Sequence, residues 1–297
     1  MRTTKRFTPK VLDRFRAQGR GTGIFDDYKP WHRVSRGDPA SRGRSHLQKW
    51  QGRQHELLSD KEWVGLMFAI MTPGVVDIRE QFPLSLEPSR HELSHYDIRI
   101  TGDFPGTLEL ARNLGFKRPM TYGEGQSAPW VMTTDLLIAL DRASGEKQLL
   151  AVAVKTANGA SNKRALQLLA IEKAYWNVRG VKWILITPRQ YDHQVALRLR
   201  DSIPHALSPS ADAWLIAKAQ SVTIQHQGYS LTRILHEIIF FAGDMTAAQG
   251  AFWQGVWQGI IPIDLRRGWR PHLPVHLLPY ENFLELNPIA SRRTAWI

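Results

Sequence analysis

Two apolar runs in the middle of the chain limit what it can fold into. Trp130 to Leu140 and Gln148 to Lys155 read as strands, and Asp141-Arg142-Ala143-Ser144-Gly145 between them has the composition of a turn. The pair predicts a hairpin inside a sheet. Helical patterns flank it. Ser59 to about Met71 carries Trp63, Met67 and Ile70 at i, i+4 and i+7, and Thr72-Pro73-Gly74 ends it. Residues 161–178 place Leu168, Ile171 and Tyr175 on one side. Val75 to Phe82 and Lys182 to Thr187 read as two further strands. Helix, strand, hairpin, helix and strand in that order predict an α/β fold, a mixed sheet with flanking helices.

The ends of the chain read differently. Thr8-Pro9 with Val11, Leu12 and Phe15 predicts a short amphipathic helix that stops at Gly19. A basic, glycine-rich stretch follows to His46, and its composition predicts extended chain and turns. Residues 86–130 are polar and turn-rich, as an insertion lying over a fold would be. After Pro188 the pattern changes. Leu231 to Phe241 and Thr246 to Trp257 predict two helices joined by Ala242-Gly243-Asp244, and Ile260 to Arg267 returns to an extended pattern. Two helices and a β ribbon fit a winged helix-turn-helix. The predicted domains are therefore 1–200, with the sheet, and 201–297, winged-helix-like.

Composition narrows the partners. The 297 residues contain no cysteine, which excludes a disulfide scaffold, a thiol nucleophile and thiolate metal sites, and fits a reducing compartment. No 18-residue apolar run is present, so no membrane span is expected, and Met1 to Arg20 lacks the apolar core of a signal peptide. Lys and Arg number 39 against 27 Asp and Glu, a formal charge of +12. Residues 1–60 hold 14 basic and 6 acidic side chains, so 14 − 6 = +8 of that charge lies at one end. Such a concentration, among glycines and aromatics, suggests a polyanion partner, since each neutralised phosphate releases condensed counterions. Among the 11 tryptophans, Trp63, Trp176 and Trp253 lie on apolar helical stripes, which favours a core role over base stacking. His46, His55, His91 and His95 lack the spacing of metal ligands, so no zinc site is expected.

Three positions carry potential chemistry. Asp135 is an acid in the otherwise apolar Thr134-Asp135-Leu136-Leu137-Ile138, and Lys155 ends Ala151-Val152-Ala153-Val154 on the next strand. An acid on one strand and a lysine closing its neighbour form the skeleton of a PD-(D/E)xK nuclease site. There, carboxylates hold a hard divalent cation that activates water, and the lysine neutralises charge developing on phosphoryl oxygens. The spacing alone is common, and a strand-edge acid with a solvated strand end is the ordinary alternative. Glu62 adds a third group. In Ser59-Asp60-Lys61-Glu62 it fits a capping box, bonding the Ser59 backbone N–H, as well as it fits a metal ligand. Glu172 lies on an apolar stripe beside Leu168, Leu169 and Trp176, where a carboxylate needs a partner such as Lys155.

These residues fall within a longer resemblance. Gly19-Arg20-Gly21, Asp27-Tyr28-Lys29-Pro30-Trp31, Gly43-Arg44-Ser45-His46 and Leu57-Leu58-Ser59-Asp60-Lys61-Glu62 resemble the TnsA family, in that order. So do Val76-Asp77-Ile78-Arg79-Glu80-Gln81-Phe82-Pro83-Leu84, Thr134-Asp135, Val154-Lys155 and Glu172-Lys173-Ala174-Tyr175-Trp176. TnsA proteins are endonuclease subunits of heteromeric cut-and-paste transposases. The resemblance covers about residues 19–190 and implies a restriction-endonuclease-like fold, with a winged-helix domain following. It implies catalytic Glu62, Asp135 and Lys155, with Mg²⁺ (or Mn²⁺ in its place) on Glu62 and Asp135. With Ala153 two before the lysine, either the Val154 carbonyl and waters complete the metal shell or the site holds fewer or weaker ions, and Glu172 is a candidate supporting group by its own position. It further implies cleavage of the 5′ strands of double-stranded DNA at transposon ends, beside a TnsB-like transposase that cuts and joins the 3′ strands. A TnsC-like AAA+ ATPase would regulate both and dock on the C-terminal domain, whose charge is nearly balanced. The setting implied is the bacterial cytoplasm, at the nucleoid. One departure stands out: Ala153 occupies the position two before the lysine, where the family usually has Gln or Glu.

Two other functions fit the same residues: a stand-alone restriction-like nuclease, and a non-catalytic DNA-binding or scaffold subunit for which Ala153 speaks. The basic segment gives the first testable outcome. Arg42 and Arg44, set among small residues, are expected to contact phosphate. Replacing both with Ala should weaken binding to every DNA sequence and reduce the salt-dependence slope by about two. An unchanged slope in salt titrations would assign them to solvent or to protein contacts.

Overall fold

The computed structural model describes residues 7–38, 40, 44–157, 162–267 and 270–296. It divides into two compact units. The first comprises Met1–Gly65, Gly74–Thr187 and Ala295–Ile297, the second Leu66–Pro73 and Pro188–Thr294.

In the first unit, α1 (Pro9–Ala17) starts at Thr8, whose hydroxyl accepts from the Val11 N–H at 3.3 Å, and has Pro9 in its first turn. A hairpin absent from the sequence reading follows, β1 (His46–Trp50) and β2 (Arg53–Leu57). Gln51 (φ 45°) and Gly52 (φ 77°) close it, both left-handed as a two-residue type I′ turn requires. Next come α2 (Asp60–Ile70) and β3 (Val75–Pro83). The turn-rich insertion contains β4 (Ser89–Arg90) paired with β5 (Asp103–Phe104), then α3 (Thr107–Asn113), then a hairpin of β6 (Met120–Gly123) and β7 (Gln126–Pro129). The chain continues through β8 (Thr133–Asp141), β9 (Lys147–Val154), α4 (Lys163–Val178) and β10 (Lys182–Ile186).

The central sheet has the order β10-β9-β8-β3. β8 and β9 form the predicted hairpin, with Leu136 opposite Val152 and Ile138 opposite Leu150. β3 joins antiparallel, with Glu80 opposite Leu136 and Phe82 opposite Thr134. β10 joins β9 in parallel, so the chain must cross over the sheet between them, and α4 makes that connection. The sheet is therefore mixed, as predicted. One face buries Leu137, Ala139, Leu149, Ala151, Ala153 and Leu185 in a core shared with Leu169, Tyr175 and Trp176 of α4. On the other, α2 approaches at Gly65, where an added Cβ would lie 3.1 Å from Val154 Cγ2 and 3.4 Å from Leu136 Cδ1. A small residue there lets the first turn of α2 sit close to the sheet.

The basic N-terminal segment is ordered where described. Tyr28 donates its hydroxyl to the Glu80 carbonyl (3.0 Å), and the Trp31 N–H donates to the Gln81 carbonyl (3.3 Å). Gly21 has φ +80°, and a Cβ there would fall 2.2 Å from Pro83 Cγ, so only glycine allows this approach to β3.

The second unit is helical: α5 (His193–Ala206), α6 (Ala213–Gln225), α7 (Leu231–Ala242), α8 (Met245–Trp257) and α9 (Tyr280–Glu285). Residue 200, near which the sequence suggested a boundary, lies within α5. Asp192, Asp212, Ser230 and Asp244 cap α5 to α8 through side-chain oxygens. α8 is buried around most of its circumference, including Trp253 and Trp257, and packs with α5, α6 and α7. Helices α7 and α8 match the predicted pair. The predicted ribbon after them is reduced to two isolated bridges, Ser230–Pro274 and Ile263–Leu277, with no strand among the described residues. Pro262, Pro271, Pro274 and Pro279 withhold the amides that a longer ladder needs. No helix among the described residues is long and apolar enough to cross a membrane.

A buried ion cluster ties β2 to β3. Glu80 is fully buried and accepts from Arg53 Nη1 (2.8 Å) and Nη2 (2.6 Å) and from the Glu56 N–H (3.0 Å), with His55 Nδ1 at 2.9 Å. Burial pushes the Glu80 carboxyl up, but the hydrogen bonds from His55 and Arg53 prevail and hold it at about 2. Because the folded value lies below the ordinary 4.5, the stabilisation is complete above that pH and fades as pH falls towards 2. Glu80→Ala strands Arg53 in the interior and should cost about 3–5 kcal/mol in urea unfolding. A loss under about 1 kcal/mol would show the cluster to be energetically idle.

Candidate active site

The site lies where β8 begins, β9 ends and α2 starts. Asp135 is 7% exposed, and its Oδ2 accepts from the Val154 N–H (2.6 Å) and from Lys155 Nζ (2.5 Å). Hairpin pairing of β8 with β9 makes this meeting possible, since it places the end of one strand beside the start of the other. Lys155 keeps a third of its side chain exposed. Burial lowers its pKa, but Asp135, Glu172 and Glu62 outweigh that and raise it, so the ammonium is firmly charged. The Val154 N–H holds Asp135, and the Val154 carbonyl is the group expected at an ion.

Glu62 reaches the same place from the first turn of α2. Its Oε2 accepts from the Leu58 N–H (2.8 Å) and its Oε1 from Ser59 Oγ (3.2 Å), while its own N–H donates to Ser59 Oγ (3.3 Å). The capping role is therefore real but shifted by one residue, with Leu58 supplying the amide expected from Ser59. Burial, then the negative charge of Asp135, pushes the Glu62 carboxyl up to about 7. Two carboxylates that repel each other in a desolvated pocket are a donor set suited to a hard divalent cation. Glu62 and Asp135 would hold such an ion. Among the described residues no three acidic or histidine side chains form a metal cluster, so the remaining ligands would come from backbone, water or substrate.

Glu172 stands behind Lys155. It is 3% exposed and its Oε1 accepts from Thr134 Oγ1 (2.9 Å) and Trp183 Nε1 (3.1 Å). Burial moves it to about 7 against the pull of Lys155. Thr134 in turn accepts from Trp176 Nε1 (2.7 Å), so Trp176 and Trp183, buried in the core, also orient polar groups. Trp63, by contrast, is not core: it is half-buried and stacks on His46 at 4.4 Å. Arg44 is exposed and pairs with Asp60 (3.1 Å), which also lies 2.7 Å from His46 Nε2. Arg42 lies outside the described residues. Ala153 is fully buried in the α4-facing core, so no polar side chain reaches the site from that position.

Sequence reasoning missed Gln81. It sits inside β3 with φ +49°, a left-handed conformation that costs a non-glycine residue about 1–3 kcal/mol. Its Nε2 donates to Glu62 Oε2 (3.0 Å) and its Oε1 accepts from Thr133 Oγ1 (3.4 Å). Side-chain alternation slips here. Thr134 bonds α4, and so does the core around Leu137, although residues three apart on a strand normally face opposite ways. A glutamine at positive φ within a strand leaves no trace in apolar periodicity.

The comparisons with known proteins fall on this region. Residues 72–188 match the model of the TnsA-like endonuclease N-terminal family, a span that includes Asp135, Lys155 and Glu172. The transposon Tn7 transposition protein TnsA of Escherichia coli is 33% identical over 175 residues, which are 58% of this chain and 55% of that protein. The chain thus spans about half the length of the curated relative it matches. The family match covers the mixed sheet and the acid–lysine pair described above, and over these residues the chain is similar to TnsA-like endonucleases.

Proposed function

We propose that this chain is the endonuclease subunit of a heteromeric transposase, cutting the 5′ strands of double-stranded DNA at transposon ends with a divalent cation, Mg²⁺ or Mn²⁺. The observation that carries the reading is the contact of Asp135 with Lys155 Nζ and the Val154 N–H, with Glu62 beside it. The Tn7 relative supports the transposition setting, and Arg44, exposed two residues from β1, supports contact with phosphate.

Each residue has a definite part. A divalent ion, when bound, supplies Lewis acidity and a water of lowered pKa. Asp135 is fixed by two donors on one oxygen, which orients the carboxylate towards the ion without reorganisation. Glu62, whose carboxyl burial and the Asp135 charge push up to about 7, would have to be ionised to hold the cation. Lys155, firmly charged, would stand next to the scissile phosphate and stabilise charge that grows in the transition state. Glu172 would favour the charged form of Lys155 through its own negative charge on the buried side.

The second unit is read as the docking module of the complex, with its winged-helix character resting on α7 and α8. Trp214 on α6 and Phe240 and Phe241 on α7 are exposed aromatics, with Lys218 over both Trp214 and Phe241. With balanced charge around them they suit a protein partner, a TnsC-like ATPase, better than DNA. Beside it, a TnsB-like transposase would process the 3′ strands. One specific observation favours a different reading. Ala153 supplies no ligand, which fits a DNA-binding or scaffold subunit that has lost catalysis.

Strand-resolved cleavage of a transposon-end duplex in Mg²⁺, with and without the partner transposase and ATPase, tests the proposal. Wild type should cut the 5′ strands only with its partners present, whereas a stand-alone nuclease would cut without them. Asp135→Ala should abolish the cut, and Lys155→Ala should slow it about 10²–10³-fold with the ion still bound. Since the raised acid must ionise to hold the cation, affinity for the ion should climb as pH rises through about 7, read by titration of the chain with Mn²⁺ at several pH values. Wild-type cleavage by Asp135→Ala would refute the assignment, and cleavage by neither protein with all partners present would favour the scaffold.

A further inference from the structure

We propose that Gln81 is a positioning residue: its carboxamide holds the Glu62 carboxylate at the angle at which it shares a divalent ion with Asp135. The inference rests on the nuclease reading above and concerns a residue which that reading does not use.

Three independent features meet at Gln81. It is 3% exposed, so its amide is committed to the interior. Its backbone adopts φ +49° inside a nine-residue strand, two residues from its end, where an extended conformation would be easier. Strain of that kind persists only where the surroundings impose it, and it gathers at functional sites. Finally, its side chain bridges two elements of the site, donating from Nε2 to Glu62 Oε2 and accepting at Oε1 from Thr133 Oγ1.

The position in the ladder explains the strain. Glu80 pairs with Leu136 and Phe82 with Thr134, so Gln81 stands across from Asp135. Its neighbours need opposite sides: Glu80 serves the Arg53 cluster, whereas Phe82 packs on Trp176 of α4. The left-handed turn at 81 satisfies both and aims the carboxamide at Glu62. The donors that Glu62 receives from Leu58 and Ser59 come from the approach to its own helix and move with it. Among the described hydrogen bonds of Glu62, that from Gln81 alone ties it to the sheet carrying Asp135. Glu62 could cap α2 without Gln81, but its distance and angle to Asp135 would then float. A carboxylate loosened in this way loses affinity for the ion before it loses its fold.

Titration calorimetry of the full chain with Mn²⁺ as the probe, alongside thermal unfolding, tests this. Gln81→Asn is the informative variant. Asparagine tolerates the left-handed backbone but falls one methylene short of Glu62. Mn²⁺ should bind about 10–100-fold more weakly in Gln81→Asn, with the melting temperature within a few degrees of wild type. Gln81→Leu removes the amide at similar volume and should weaken binding likewise; if Leu prevents folding, Asn carries the test. Wild-type affinity in Gln81→Asn, with Asp135→Ala abolishing binding, would overturn the positioning role and leave the nuclease reading intact. Failure of wild type to bind Mn²⁺ in an Asp135-dependent way would overturn the nuclease reading and this inference with it.

Discussion

One carboxylate oxygen sets the geometry of the site. Oδ2 of Asp135 takes both the Val154 N–H and Lys155 Nζ, linking the start of β8 to the end of β9 at one end of the two inner strands of the sheet. A buried carboxylate without such donors would be neutral or would unfold its strand. With them, a charged pair is held in place before any ligand arrives. Everything else at the site is arranged about this pair: α2 brings Glu62 in through the close approach at Gly65, and α4 brings Glu172 from behind.

The site is kept at a cost in stability. Glu62 and Glu172 both have carboxyls raised to about 7, so ionising either above its ordinary value of 4.5 opposes folding. Glu80 in the neighbouring cluster has the opposite sign, held at about 2 by His55 and Arg53 against its burial. The two clusters share β3 and differ in one respect. Around Glu80 each charge has its complement in the protein, whereas Glu62 and Asp135 are two acids with one lysine, paired to Asp135. A carboxylate surplus facing a solvated lysine is the state a cation would complete.

The main elements were legible because apolar spacing reports them: α2, β3, the β8–β9 hairpin, α4 and β10 all follow patterns of period two or near four. The acid–lysine pair was legible for the same reason, since charges interrupting apolar strands stand out. Three features were hidden. The β1–β2 hairpin is polar and short, and Arg53 and His55 take buried positions on it beside Leu57. The ribbon after α8 looked extended, but its prolines leave single bridges. Gln81 owes its role to a backbone torsion imposed by its neighbours, and no side-chain pattern encodes that. Glu62 falls between these cases, because its capping motif was visible while its second relationship, to Asp135, depends on how α2 meets the sheet.

The central claim is that Glu62 and Asp135 share one cation. The most direct measurement is anomalous diffraction from crystals of the full chain soaked in Mn²⁺. The account predicts a single peak with one oxygen of Glu62 and one of Asp135 each within about 2.0–2.6 Å, and Lys155 outside the ligand shell. A peak bound elsewhere on the chain, or at Asp135 with Glu62 still confined to its helix cap, would contradict it.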